Sequence, residues 1–418
     1  MSVGKSRTVV RGYSIQSLFA DSTDGLIAGL SEGRHVASTP YFATDEEVER
    51  LRLPVNPSHV PFLRMSKKVR TLGVDYLQKT IEKVIARTLQ MSGLDEACLR
   101  GKDVRVYLPG HGARVDLLDC AGYRDRNDEE DLLFFPSIKQ LSAASYGQDV
   151  LAHGLVRRYG LSWPPVPVNS ASSSSSSAVH LAHQAIRSGE IRLALVVGWM
   201  QYTMQDMLSL GAQGLLACSG VNPPQPFSMK GGGILPADNV VGMLLQKEDE
   251  AVRSGLNEYV VLNSTTSWQS SGTAGGNSFS ADFRAVAATI ETAMIQADLS
   301  ADQIKCVFPH GNGVYANDKA EAMAIRRVWG EKGIPVVTYK AQTGYFSVCS
   351  GVADLIIAAE SLKRKELIPF SAHYELDESL QLDFHANRAT LPVKSGAILK
   401  TSLGLDGSVV ALTLSHHE

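Results

Sequence analysis

Nowhere in its 418 residues does the chain hold the ~20 uninterrupted apolar residues that a membrane-spanning helix needs. The opening stretch, MSVGKSRTVVRGYSI, likewise lacks the apolar core that follows the basic residues of a secretory leader. Cysteine is sparse. Cys98, Cys120, Cys218, Cys306 and Cys349 are scattered, odd in number and without a CxxC pair. That spacing argues against a metal site and for reduced thiols in a cytoplasmic protein, with no cofactor expected. An excess of one charge is lacking too: the net charge is −3, with both signs spread along the chain, so no nucleic-acid partner and no membrane surface is expected. What the chain does have is apolar residue, 44%, ample for a sizeable core.

One stretch organises the rest. Val166 to Gly198 reads as a short apolar strand, a serine-rich turn, an amphipathic helix and a second apolar strand. Ala178, Val179, Ala182, Ala185 and Ile186 fall on one helical face, and Arg187, Ser188 and Gly189 close the helix. Leu193 to Val197 is a continuous apolar run, short enough for a central parallel strand. A residue in the turn sits at a helix N-terminus, where unpaired N–H groups favour a thiolate or an oxyanion. Six consecutive serines, Ser172 to Ser177, could also be a flexible linker, but a linker does not interrupt a unit whose flanks both read as buried. The stretch resembles the nucleophile elbow of the β-ketoacyl-acyl carrier protein synthases, where Asp-Thr-Ala-Cys-Ser-Ser-Ser leads into Ala-Ile-His-Leu-Ala. Aligned through Ala178, Val179, His180 and Leu181, the family's cysteine falls on Ser172.

Further matches follow in the family's order. Phe308 to Gly313, reading FPHGNG, resembles His-Gly-Thr-Gly-Thr and puts His310 at the first catalytic histidine. Asp318 to Ala322 resembles the Asp-Pro-Ile-Glu-Ala helix that follows it. Tyr339 to Tyr345 matches Lys-Ser-Asn-Ile-Gly-His, so Lys340 is retained while Tyr345 stands at the second histidine. Lys340 with Glu321 resembles the family's buried structural ion pair. Ser402 to Gly407 matches the loop that gates the acyl pocket, with Leu405 in place of its phenylalanine and Asp406 in place of a glycine.

Strand-like and helix-like segments alternate along the chain, and from Glu258 the pattern begins again, which implies parallel sheets covered on both faces. The resemblance implies an α/β, thiolase-like fold: two fused βαβαβ halves, residues 1–257 and 258–418, in an α-β-α-β-α layering. It also implies dimerisation through the strand Val166 to Val168, and Phe134, Phe135, Ile138 and Leu141 lining an acyl tunnel at the interface.

The substitutions change the expected chemistry. The family's condensation uses a thiolate and two imidazoles. A serine hydroxyl stays protonated without a positioned base, and a tyrosine near neutrality is a poor one. The resemblance then implies a non-condensing subunit, akin to the chain length factors of type II polyketide systems. Such a subunit would pair as a heterodimer with an active ketosynthase and work on chains held by acyl carrier protein in polyketide, polyene or fatty acid biosynthesis. Two enzymatic alternatives stay open: Ser172 with His310 as base for acyl transfer or hydrolysis, and a decarboxylase that keeps His310 without an acyl intermediate.

Overall fold

The computed structural model describes residues 7–41, 61–65, 74–110, 148–217, 224–230, 232–270, 281–388, 390–393 and 395–417. The first part of the chain runs β1 (Thr8–Ser17), α1 (Thr23–Ser31), β2 (Thr39–Pro40), β3 (Pro61–Phe62), α2 (Val74–Ser92), β4 (Val104–Pro109) and α3 (Gln148–Tyr159). It continues with β5 (Val166–Val168), α4 (Ser174–Arg187), β6 (Leu193–Met200), α5 (Met204–Ala212) and β7 (Asn239–Lys247). After α6 (Glu248–Arg253) come β8 (Tyr259–Gln269), α7 (Phe283–Ala297), β9 (Ile304–Phe308), α8 (Tyr315–Trp329) and β10 (Pro335–Val336). The chain closes with α9 (Lys340–Thr343), α10 (Ser350–Lys363), β11 (Asp383–Phe384), β12 (Ala397–Leu403) and β13 (Ser408–His417).

Among the described residues, eleven strands form one hydrogen-bonded sheet in the order β11-β10-β9-β12-β13-β8-β1-β7-β6-β4-β5. With the short β11 and the separate β2–β3 pair set aside, each half follows one rule. The outermost strand is the third of its half, followed by the second, fourth, fifth and first, and the two first strands, β1 and β8, pair antiparallel at the middle. This is the α/β, thiolase-like ketosynthase architecture. The sheet is not wholly parallel, as the alternation implied. β4 pairs in parallel with β5 and β6, and β9 with β10 and β12, but β6/β7, β1/β7, β8/β13 and β12/β13 are antiparallel. The reason is local for β12 and β13: a tight turn joins them, with Gly407 at φ +84 and Gly404 N–H donating to Ser408 O, and a hairpin can only reverse direction.

Strand alternation sorts the core into layers. Every residue of β6 is buried. Leu193, Leu195, Val197 and Trp199 pack with α2 and α3, whereas Ala194, Val196 and Met200 face the layer of α4 and α10. A strand covered on both faces has no polar side to show, which is why the run reads as continuously apolar. In the second half Ala397, Leu399 and Val409 pack with α7 and α8, while Ile398, Val410 and Leu412 point at α4 and α10. These two central helices meet at their N-terminal turns. Val352 N–H donates to Ser175 Oγ at 3.2 Å, and a methyl on Gly351 would overlap the Ser176 hydroxyl. Cys98, Cys306 and Cys349 are unpaired thiols. No helix among the described residues is long and apolar enough to cross a membrane.

The helix junction is testable. Gly351→Ala should destabilise the fold by ~1–3 kcal/mol through overpacking, read as a lower urea midpoint. Adding Ser176→Ala should recover part of that loss. An unchanged midpoint for Gly351→Ala would mean the two helices have room to spare.

Candidate active site

The serine run is structural. Ser173, Ser174, Ser175 and Ser176 are fully buried, and most of the hydroxyls have assigned partners. Ser174 Oγ donates to Ala171 O at 2.6 Å and accepts Ser170 N–H at 3.0 Å; Ser170 Oγ donates to Ser177 Oγ at 2.7 Å. Ser173 Oγ and Ser176 Oγ each lie 2.7 Å from a hydroxyl on the other half, Ser408 and Ser402. Small polar side chains let a turn pack this tightly while satisfying its own backbone. Ala171 takes φ 44, a left-handed conformation costly for a residue with a Cβ and typical of functional turns. It presents Ser172 to a cavity of about 420 Å³ just before the first turn of α4.

His310 enters the same cavity from the end of β9. Its turn is held by charge from two sides. Glu321, on α8, accepts His310 N–H and Gly311 N–H at 2.8 Å each, and Thr401 Oγ1 donates to it at 2.6 Å. Lys400 Nζ donates to Pro309 O at 3.0 Å and meets Asp354 at 2.7 Å. The Lys340 ammonium also lies 2.7 Å from Asp354, so its ion-pair partner is Asp354 and not Glu321. The geometry explains the correction, because Glu321 is committed to the backbone of the His310 turn while α10 brings Asp354 between the two lysines. Burial alone would raise the Asp354 carboxyl, but the two ammonium groups outweigh it and hold it below the ordinary value. Burial lowers Lys400 to about 8 against the pull of Asp354. Burial first, then the charges of Lys340 and Lys400, drives His310 well below the usual imidazole value, leaving the ring neutral.

Tyr345 completes the cluster. Its hydroxyl lies 3.2 Å from His310 Nε2, with the rings edge to face. Burial pushes the phenol up to about 12, although hydrogen bonds from the Ser172 and Asn312 side chains work the other way. The main chain of Tyr345 is clamped as well: its N–H donates to Leu235 O at 2.7 Å, and its carbonyl accepts the Tyr202 hydroxyl at 3.1 Å. Near neutral pH the site therefore holds a serine hydroxyl, a neutral imidazole and a protonated phenol.

The structure thus brings Ser172, His310 and Tyr345 together around one cavity and sets Lys340 and Glu321 behind it. Leu405 is exposed on the cavity lining, in the β12–β13 turn. Phe134, Phe135, Ile138 and Leu141 lie outside the described residues. Sequence reading passed over Asp354, Lys400, Asn312 and the α5 wall of the cavity. A usable signal existed for two of them: Asp354 is the lone charge in GVADLIIAA, and Lys400 the lone charge in AILKTSL. A charged residue inside an apolar run is seldom buried without a partner.

Sequence models of two domains match the chain: the β-ketoacyl synthase N-terminal domain over residues 59–251 and the β-ketoacyl synthase C-terminal domain over 263–375. The highly reducing polyketide synthase g433 of a Fusarium species is 29% identical over 334 residues, 79% of this chain and 12% of that protein. Pikromycin polyketide synthase component PikAII of Streptomyces venezuelae is 27% identical over 329 residues, 77% of this chain and 8% of that protein. The chain thus spans only about a tenth of the length of these curated relatives. Among solved structures, the oxazolomycin ketosynthase domain OzmH KS7 of Streptomyces albus superposes with a TM-score of 0.82 at 20% identity, covering 99% of this chain and 75% of that one. The ishigamide ketosynthase/chain length factor gives 0.81 at 19%, covering 99% and 100%. At these identities the two structures speak to the fold alone.

The electrostatics of the His310 turn predict a measurable titration. A buried imidazole with a lowered pKa stays neutral while the unfolded chain protonates near pH 6.5, so His310 costs the fold stability as pH falls below about 6.5. Lys400→Met removes one of the two opposing charges, so the His310 pKa should move upward and that window should narrow. Imidazole nitrogen shifts followed by NMR from pH 8 to 4 would report it. A wild-type His310 that titrates at or above 6.5, or one unmoved by Lys400→Met, contradicts the assignment.

Proposed function

Because the chain belongs to the β-ketoacyl synthase family, we propose that it is a ketosynthase-like subunit that does not itself condense. On this reading it pairs with an active ketosynthase and shapes the acyl cavity of a polyketide- or polyene-forming assembly fed by acyl carrier protein. The observation that carries the reading is the Tyr345 hydroxyl on His310 Nε2 at 3.2 Å, beside Ser172. Condensation in this family needs a thiolate and two imidazoles. A serine at the elbow must lose its proton to a base, and the one imidazole of the described lining is engaged by a phenol that keeps its own proton. Loss of a single oxyanion donor can alone cost ~100-fold in turnover. The same contact weighs against a serine-dependent transferase, which would need His310 directed at Ser172.

Pairing with a different chain has its own support. β5 is an outermost strand of the sheet, and its Pro167 is exposed. Val168 uses its carbonyl on Gly110 N–H at 2.9 Å, so alternation turns the peptide groups of Pro167 to the free edge. Proline has no N–H to offer there. Two copies meeting edge to edge would each bring that gap, whereas a partner with an ordinary residue brings it once.

Incubated with acyl- and malonyl-carrier protein, the chain should gain no acyl mass. A stable adduct mapped to Ser172 would establish the serine enzyme instead. Ser172→Cys should become alkylatable without gaining condensation activity, because Tyr345 still replaces an imidazole.

Co-expressed with a cognate ketosynthase, the chain should co-purify at one to one through gel filtration. Pro167→Val should increase its self-association when it is expressed alone. A wild-type homodimer that ignores the ketosynthase would remove the basis for the subunit reading.

A further inference from the structure

The segment that leads into β5 holds a tryptophan out of the core. Trp163 is 46% exposed, and its neighbours Ser162 and Pro164 are exposed with it. Single exposed apolar side chains are common on protein surfaces, and Met229 and Ile295 are further examples here. Trp163 differs in being fixed. Its indole N–H donates to Lys102 O at 2.9 Å, and the Arg105 guanidinium lies 4.6 Å from the ring centroid. Arg105 is itself anchored, donating to Lys102 O at 3.0 Å and Val104 O at 3.1 Å, with Glu190 at 3.7 Å. The residue before the tryptophan is pinned too, since Ser162 Oγ donates to Arg100 O at 2.5 Å. An indole held in this way has already lost the rotamer freedom that docking would otherwise remove.

Trp163 stands three residues before Val166, where the outermost strand β5 begins. The edge of that strand is short: Val166 is half-buried, Pro167 is exposed and Val168 is buried. A stable interface covers about 800 Å² on each partner, far more than three residues of strand edge provide. The exposed surface that continues from the edge has to supply part of the rest, and one tryptophan can bury ~150–250 Å². Taking the chain to pair through β5, as the proposed function does, we propose that Trp163 anchors that interface, seated in an apolar recess of the active ketosynthase partner. Tryptophan and arginine dominate anchors of this kind, because a large ring keeps water from a desolvated centre. Arg105 covers one face of the indole and leaves the rest of it for the partner. A second copy would meet the same edge with a second Pro167, so the ketosynthase is the occupant.

The test uses the full chain labelled with 5-fluorotryptophan and mixed with unlabelled ketosynthase. Four tryptophans give four fluorine resonances, and Trp163→Phe assigns one of them. Trp199 and Trp329 are buried and serve as references. In the one-to-one complex the Trp163 resonance should shift and lose its H2O/D2O isotope effect. Trp163→Ala should weaken the complex by ~30-fold or more, the range of an interface anchor. Trp163→Phe keeps a ring over Arg105 and should weaken it by less than about fivefold. A Trp163 resonance unmoved in a complex that does form overturns this inference and leaves the subunit reading standing. So does a Trp163→Ala chain, folded by its melting curve, that binds as wild type does. Protection of Trp163 in the chain alone as its concentration rises would assign the contact to a second copy, and overturns the inference as well. If no complex forms, the subunit reading fails and the inference fails with it.

Discussion

The turn that carries His310 depends on buried charge. β9 ends at Phe308, and the residues after it are held by Lys400 on the Pro309 carbonyl and by Glu321 on the next two N–H groups. Asp354 then joins Lys400 to Lys340. Removing Asp354 would leave two buried lysines without their carboxylate, a cost of several kcal/mol by analogy with other buried pairs, ~3–5. The arrangement therefore ties α8, α9, α10 and β12 to one imidazole. Geometry at the site and stability of the second half are maintained by the same contacts.

Charge placement also decides what the site can do. Burial first, and then the two ammonium groups behind His310, keep the ring neutral, and burial also keeps Tyr345 protonated. The cluster is consequently a set of hydrogen-bond donors and acceptors without an ionised nucleophile. In front of it, Asp206, Asp282 and Asp406 line the cavity. The family scaffold holds this cluster around one void, and function lives in such a site rather than in the fold. That is how one fold comes to host different functions.

The elbow was legible because a buried strand, a compact turn and an amphipathic helix follow one another within Val166 to Gly198, and period and length identify each. The His310 turn was legible through its glycines and the helix after it. The partner of Lys340 was not. Glu321 and Asp354 are both acidic residues on helices that follow a motif, and only the rotation of α10 in the central layer puts Asp354 beside Lys340. The antiparallel pairs were hidden for a related reason. Alternation of strands and helices counts crossovers, but it does not say which strands become neighbours.

Local chemistry was written in the chain: which segments bury both faces, where Ser172, His310 and Tyr345 fall, and that no long apolar span is present. Such properties follow from residue size, polarity and short-range periodicity, which are carried by neighbours in the sequence. Which charges meet, which nitrogen of His310 is occupied and that three aspartates share one cavity were decided by tertiary structure. Asp206, Asp282 and Asp406 lie far apart along the chain, and electrostatic energy depends on distance in space and on the water excluded between groups. Neither quantity exists until the two halves of the sheet have closed on α4 and α10.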